Sequence, residues 1–409
     1  MSAACRACGT PLRRMFCDLG ATPLSNAYLR EDQLGTPEPV HPLRAFVCES
    51  CLLVQLEQFE TPEAIFSDYA YFSSYSESWL RHAQRFAQDA VRRFALGPAS
   101  RVVEIASNDG YLLQYFQALG VPVLGIEPAA NVAREAQARG IPTRVAFFGG
   151  DCARALAGES GTADLIVANN VLAHVPALRD FVDGVRILLA ADGAASFEFP
   201  HLLRLMLENQ FDTIYHEHFS YFSLHAVRQV MARCALRIVE VEELPTHGGS
   251  LRLTVCHEAS ARFREGDGVG KVLRDERAAG LDRIEGYAGF DARVQAVKRQ
   301  LVGFLQQARV EGKRTAAYGA AAKGNTLLNT CGVTRDLVEF VADRSPHKQG
   351  LFLPGSRLPI VHPDRIVEQR PDYLLILPWN LKEEIVAQCA GIRAWGGRFV
   401  VPIPALEVL

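Results

Sequence analysis

The apolar and polar positions of the chain change rhythm several times. Residues 79–94 place apolar side chains at helical spacing. Arg101-Val102-Val103-Glu104-Ile105-Ala106 is short and almost continuously apolar, which predicts a buried strand. Ser107-Asn108-Asp109-Gly110 ends it in a polar turn, and residues 111–119 resume a helix. Residues 122–126 form a second strand ending in Glu127, residues 164–167 a third that runs into Ala168-Asn169-Asn170, and residues 193–199 a fourth. Residues 236–241 and 251–255 flank Pro245-Thr246-His247-Gly248-Gly249-Ser250 and predict a closing antiparallel pair, with Glu198 ending near its loop. Residues 261–310 are charged and helical, with Val269, Val272, Leu273, Leu281, Ile284, Val297, Leu301 and Phe304 at helical spacings, and read as a connector. After it the strand, loop and helix pattern returns. Residues 314–326 carry a small-residue loop, residues 337–342 end in Asp343, and residues 373–377 end in Pro378-Trp379-Asn380. Alternating strands and helices predict parallel sheets whose carboxyl edges hold ligands.

At 409 residues, two or three domains are expected, and 49% apolar with 22% charged residues is the make-up of a globular chain with sizeable cores. The net charge is -3 and the basic residues are scattered, so no footprint for nucleic acid or an anionic membrane exists, and a small-molecule partner is expected. Residues 1–10 lack a basic segment followed by an apolar core, and no run of about 18 apolar residues occurs. The expected compartment is the cytoplasm.

Four of the ten cysteines form a pattern. Cys5-Arg6-Ala7-Cys8 and Cys48-Glu49-Ser50-Cys51 are two CxxC knuckles that can offer four thiolates to one tetrahedral zinc ion. A disulfide pair is the rival, disfavoured in a reducing cytosol. A closed four-cysteine site leaves no position for water, so its zinc folds the module and does no chemistry. Between the knuckles, residues 18–20 and 23–28 read as loop and turn.

The turn after residue 106 has a single glycine and lacks GxGxxG, so it suits a cofactor with a ribose and no pyrophosphate. Glu127 stands where ribose hydroxyls would be accepted. This arrangement resembles class I S-adenosylmethionine methyltransferases, whose first motif has an acid, as at Glu104, and a glycine, as at Gly110. The expected cofactor contacts are Glu104, Ser107, Asn108, Gly110, Glu127, Pro128, Asn169 and Asn170; plain architecture with an acid at the strand end is the alternative.

Tyr215-His216-Glu217-His218-Phe219-Ser220-Tyr221-Phe222 packs two imidazoles, a carboxylate and two phenols into eight residues. Such groups can hold, orient and deprotonate a substrate; a polar cluster satisfied under a loop is the alternative. Residues 65–76 are rich in phenols and hydroxyls and suit either a binding loop or an aromatic packing patch. In the last domain GxxxxGK[ST] is not matched, so triphosphate hydrolysis is not supported. Lys323 and Lys348 are either phosphate ligands or solvated lysines.

Together, the CxxC pair, DYAYFSSYS, EIASNDGYL, NNVLAHV, YHEHFSYFS, THGGSLR, YGAAAKGN, DRSPHKQG and Leu377-Pro378-Trp379-Asn380 resemble the C-methyltransferases that act on nucleotide-linked 4-keto-deoxysugars, over nearly the whole chain. The resemblance implies a class I methyltransferase Rossmann-like α/β sheet (66–260), a small N-terminal zinc-binding module (1–65), a helical connector (261–310) and a second C-terminal Rossmann-like α/β domain (311–409). It implies S-adenosylmethionine and structural zinc as cofactors, and a dTDP-linked sugar as partner, with GDP or CDP as alternatives. Catalytic roles fall on His218, Glu217, Tyr215, His174 and Tyr71, with His218 as base and Glu217 orienting it or carrying a second proton. Substrate contacts are expected from Tyr69, Tyr221, His247, Lys323, Asn325, Lys348, Trp379 and Asn380. A carbon beside a ketone becomes nucleophilic once deprotonated, so a base and an oxyanion stabiliser are required. An O- or N-methyltransferase leaves the third domain unexplained, a non-catalytic sugar-nucleotide binder leaves the complete set of cofactor elements unexplained, and an NAD-dependent oxidoreductase lacks its glycine fingerprint.

Overall fold

A computed structural model of the chain describes residues 3–66, 73–75 and 77–409. Its central sheet has seven strands in the order Leu236–Leu244, Ser250–His257, Leu189–Pro200, Ala163–Asn169, Val102–Ile105, Val123–Glu127, Thr143–Val145. Neighbours are parallel except at Ser250–His257, which runs antiparallel to both strands beside it. Alternate residues serve opposite faces. Val103, Ile105 and Ile166 join Phe197 and Phe199 in one core, whereas Val102, Leu165 and Val167 join Phe86 and Phe116 in the other. Burial on both faces explains why these strands read as unbroken apolar runs.

The N-terminal sheet is antiparallel, in the order Arg14–Thr22, His41–Val47, Val54–Leu56, Ser220–Tyr221. Residues 18–20, expected in a loop, lie inside its first strand. The register of that strand shifts between Met15 and Cys17 and between Asp18 and Ala21, and these bulges erase the alternation by which a strand is recognised. The fourth strand comes from the Tyr215 to Phe222 stretch, a pairing between distant parts of the chain.

The C-terminal sheet runs Ile360–Val361, Val341–Ala342, Thr315–Tyr318, Tyr373–Ile376, Arg398–Val401, Glu407–Val408, with the first five parallel. Helix Phe290–Val310 buries Val294, Val297, Leu301 and Leu305 in the core that contains Leu374 and Phe399, and Phe290 stacks on Phe16 with ring centroids 4.7 Å apart. Part of the N-terminal module therefore shares a core with the C-terminal one, while its knuckle residues Cys5, Cys48 and Cys51 pack with Leu12 and Leu53 into the core on one face of the methyltransferase sheet. No helix among the described residues is long and apolar enough to cross a membrane.

Candidate functional site

The turn after Val102–Ile105 is forced into an unusual path: Ala106, Asn108 and Gly110 have φ of 54°, 51° and 77°. A side chain at Gly110 would meet Ile141 Cγ1 at 2.9 Å, so glycine is required there by both conformation and space. Glu127 fastens the turn, accepting the Asn108 N–H on one oxygen at 2.9 Å and the Ala129 N–H on the other at 2.9 Å. Asn108 Oδ1 accepts the Ser73 N–H at 2.9 Å, and Asp109 accepts from Ser74 N and Arg139, both at 3.3 Å. The polar turn thus anchors residues 73–74, the end of the aromatic segment. Tyr69 and Tyr71 lie outside the described residues. Asp109 and Arg139 escaped the sequence argument, although Asp109 stands in the SNDG turn itself.

Several buried polar atoms at this edge have no partner among the described residues: Glu104 Oε2, Ser107 Oγ, Asp109 Oδ1, Asn169 Oδ1 and both polar atoms of the Asn170 amide. Their strands are adjacent, with Glu104 opposite Val167 and Asn169 opposite Glu198. Buried polar groups are normally paired, so an edge with this many spare acceptors is built for a ligand of hydroxyls and amines. That fits S-adenosylmethionine, which Glu104, Asn169, Asn170 and the turn around Pro128 would hold. Burial pushes the Glu104 carboxyl well above its ordinary range, against a hydrogen bond from Tyr111.

Beside this edge lies the Tyr215 to Phe222 stretch. His218 Nδ1 faces the Thr213 carbonyl at 2.8 Å, which fixes the hydrogen on Nδ1 and leaves Nε2 as acceptor for the Tyr215 hydroxyl at 2.8 Å. The orienting role expected of Glu217 therefore belongs to the Thr213 carbonyl. His174 Nδ1 likewise donates to the Glu217 carbonyl at 2.8 Å, and its ring meets that of His218 edge-on at 4.6 Å. Burial pulls His218 well below its ordinary pKa, and His174 down to about 4. The Glu217 carboxyl moves the other way, pushed up to about 7 by burial although Asn26 donates to both of its oxygens, at 2.8 and 3.0 Å. One segment therefore holds a neutral imidazole and a carboxyl poised near neutrality. His216 faces away and contacts the Pro42 carbonyl at 3.2 Å.

The C-terminal module closes the other side. Lys323 donates to the His247 carbonyl at 3.1 Å and lies 5.1 Å from the centroid of the Trp379 ring, whose N–H donates to buried Asp212 at 2.7 Å. A side chain at Gly248 would strike Trp379 at 2.4 Å, which accounts for the glycine in this loop. Lys348 donates to the Ala320 carbonyl at 2.9 Å, over the Tyr28 ring. Burial lowers both lysine pKa values, so neither is a solvated surface lysine. Asn325 is fully buried and donates to the Ser25 carbonyl, Tyr221 is packed in the strand opposite Val54, and Asn380 is half-buried beside Trp379. Glu198 is buried, yet His82, Arg252 and Thr246 pull its carboxyl down to about 2, making it a fixed anion.

The sulfurs of Cys5, Cys8, Cys48 and Cys51 all lie within 4.8 Å of one another, with Cys5–Cys51 and Cys8–Cys48 at 3.5 Å. No disulfide joins them. Tetrahedral zinc with bonds of about 2.3 Å sets its sulfurs about 3.8 Å apart, which these residues match. Gln55 Nε2 donates to Cys5 Sγ at 3.1 Å and supports the site from outside.

Three family profiles match in succession: a zinc binding domain over residues 5–66, a methyltransferase domain over 79–241 and a C-methyltransferase C-terminal domain over 245–404. The C-methyltransferase NovU of Streptomyces niveus is 36% identical over 405 residues, 99% of this chain and 96% of that protein. Among solved structures, magnesium protoporphyrin IX methyltransferase of Synechocystis PCC 6803 with bound SAM is 15% identical, with 44% of this chain and 82% of that chain covered and a TM-score of 0.33. The CcbJ methyltransferase of Streptomyces caelestis is 13% identical over 43% of this chain and 90% of that chain, at a TM-score of 0.35.

Proposed function

The chain belongs to the S-adenosylmethionine-dependent C-methyltransferases that carry an N-terminal zinc-binding domain and a C-terminal C-methyltransferase domain, and on that premise we propose that its methyl acceptor is the carbon beside the ketone of a nucleotide-linked 4-keto-deoxysugar. The observation that carries the proposal is the buried cluster in which His218, oriented by the Thr213 carbonyl, turns Nε2 to the Tyr215 hydroxyl at 2.8 Å beside His174 and the Asn26-held Glu217, with burial displacing His218 and Glu217 in opposite directions. Two titratable groups pushed apart by one environment form a base and an acid.

His218 accepts the substrate proton on Nε2, displacing the Tyr215 hydroxyl from that lone pair. An imidazolium is costly here in the free protein, but it forms together with the enolate, so the new pair of charges is neutral overall. Glu217 in its protonated form donates to the ketone oxygen as negative charge gathers there, and Tyr215 and Tyr71 supply further donors, each worth about 3 kcal/mol when well placed. His174 presents Nε2 as an acceptor and therefore suits a sugar hydroxyl. The bound cofactor supplies an electrophilic methyl group on a sulfonium. The chain holds the nucleophilic carbon in line with it and excludes water, and this positioning supplies much of the rate.

Lys323, Lys348 and His247, with Trp379 and Asn380, hold the nucleotide, dTDP first and GDP or CDP as alternatives. We place the working units at 1–65, 66–260, 261–310 and 311–409, and the enzyme in the cytoplasm. The test is mass spectrometry of the protein incubated in deuterated water with S-adenosylmethionine and dTDP-, GDP- and CDP-linked 4-keto-6-deoxysugars. The expected result is a gain of one CH2, with deuterium entering beside the ketone when the cofactor is omitted. A gain without exchange identifies O- or N-methylation instead, and neither on any ketosugar overturns the substrate assignment.

A further inference from the structure

Residues 23–28 leave the N-terminal module between its two zinc knuckles and enter the methyltransferase site. Asn26 Nδ2 donates to Glu217 Oε1 at 2.8 Å and Oε2 at 3.0 Å, across 191 positions of sequence. Glu217 is 2% exposed, and among the described residues no cation pairs with its carboxylate. The same segment is clipped to the C-terminal module on both sides of Asn26. Ser25 shares a hydroxyl contact with Thr326 at 3.2 Å and its carbonyl accepts from Asn325 at 3.3 Å. Tyr28 donates to the Ala320 carbonyl at 2.7 Å, and Leu29 and Phe352 exchange main-chain hydrogen bonds at 2.9 and 2.8 Å. The strap is therefore anchored on residues 320–326, the stretch that carries Lys323.

We propose that Asn26 is the positioning residue of the catalytic carboxyl: the strap that ties the zinc-bearing module to the loop around Lys323 also fixes Glu217, so all three modules are needed to complete one active centre. This rests on the reading of Glu217 as a proton carrier. The two N–H bonds favour the carboxylate and burial favours the acid; removing Asn26 leaves burial unopposed. The titratable groups around Glu217 are Tyr28 on the strap, His174 on its main-chain carbonyl, and Tyr215 and His218 on its own segment. Lys348 reaches the Tyr28 ring. None of these takes over the bonds of Asn26.

The test uses the full-length, zinc-loaded protein with 13C at the glutamate carboxyls, the Glu217 signal being assigned by its loss in Glu217→Gln. In Asn26→Leu the titration midpoint of Glu217 is expected to rise by about one unit, the size of a lost charge-assisted hydrogen bond. Turnover should fall about tenfold or more with affinity for S-adenosylmethionine unchanged. Asn26→Asp keeps the shape and replaces the donor with a like charge, so it should raise the midpoint further, and it serves where Asn26→Leu is poorly folded. A folded variant with an unmoved Glu217 midpoint overturns the proposal. A moved midpoint in the variant, together with no methylation of any ketosugar by the parent protein, supports the role of Asn26 and overturns the substrate assignment instead.

Discussion

Two edges of parallel sheet face the centre of this molecule, each a strand, a small polar loop and a helix, and they carry opposite chemistry. The edge after Val102–Ile105 is lined by spare acceptors, among them Glu104, Asp109, Asn169 and Asn170. The edge after Thr315–Tyr318 presents half-buried cations, Lys323 and Lys348, each with a main-chain carbonyl and a nearby carboxylate, Asp212 or Asp343. The first suits ribose hydroxyls, an amine and a sulfonium; the second suits an anion. Similar local topology therefore carries opposite chemistry at the two edges, so the loops, and not the fold, set the character of each edge.

The largest effect should come from the group placed between the two edges. His218→Asn is expected to lower turnover by about a thousandfold, the range of a lost general base, with S-adenosylmethionine binding within a few-fold of the parent. Calorimetry with the cofactor separates this from misfolding, and lost binding would mark His218 as structural. Stripping zinc comes next. A structural zinc contributes on the order of 10 kcal/mol to the fold it closes, so chelation should melt the N-terminal module and with it the contact of Asn26 with Glu217. Circular dichroism and turnover should fall together, and full activity without zinc would refute the coupling.

A reciprocal pair sharpens the contrast of the edges. Lys323→Met should raise the KM for the nucleotide sugar about tenfold or more and leave cofactor affinity unchanged, whereas Glu127→Ala should weaken cofactor binding by a similar factor through loss of the turn and of a ribose acceptor. If both variants move both constants equally, the edges are not separate sites.

The pH dependence is a milder effect. Glu217 stands at about 7, above its ordinary value near 4, so its protonated form declines as pH rises through 7 and kcat should decline with it. By the same sign, the contribution of Glu217 to stability is present below about 4 and is lost as pH rises through its folded pKa. His218, held well below its ordinary value, stays neutral across that window. A profile that rises through 7 would assign Glu217 as base. The smallest change is expected at the periphery: Arg365→Ala breaks a solvent-exposed pair with Glu368 and should cost about 1 kcal/mol or less of stability in denaturant unfolding.

The apolar runs at 101–106 and 314–318, the CxxC pairs and the SNDG turn were legible because each is written within a few residues of itself. The strand Arg14–Thr22 was not, since its bulges break the period of two, and Ser220–Tyr221 was not, since a two-residue strand has no pattern of its own. The candidate site divides in the same way. Glu217 and His218 stand out as residue types in a stretch, but the partner that orients His218 turned out to be the Thr213 carbonyl, and a carbonyl is available at every position of every sequence.

By itself, then, the sequence determined most of the elements, the zinc knuckles, the kind of cofactor and the cluster of ionisable residues at 215–222, because spacing and side-chain chemistry are local properties. Tertiary structure alone decided in which direction each of those groups is displaced and which module reaches them. Asn26 and Glu217 are held together by packing between parts of the chain 191 positions apart, and the pKa of a buried carboxyl is the sum of its burial and of whatever donors the fold brings to it.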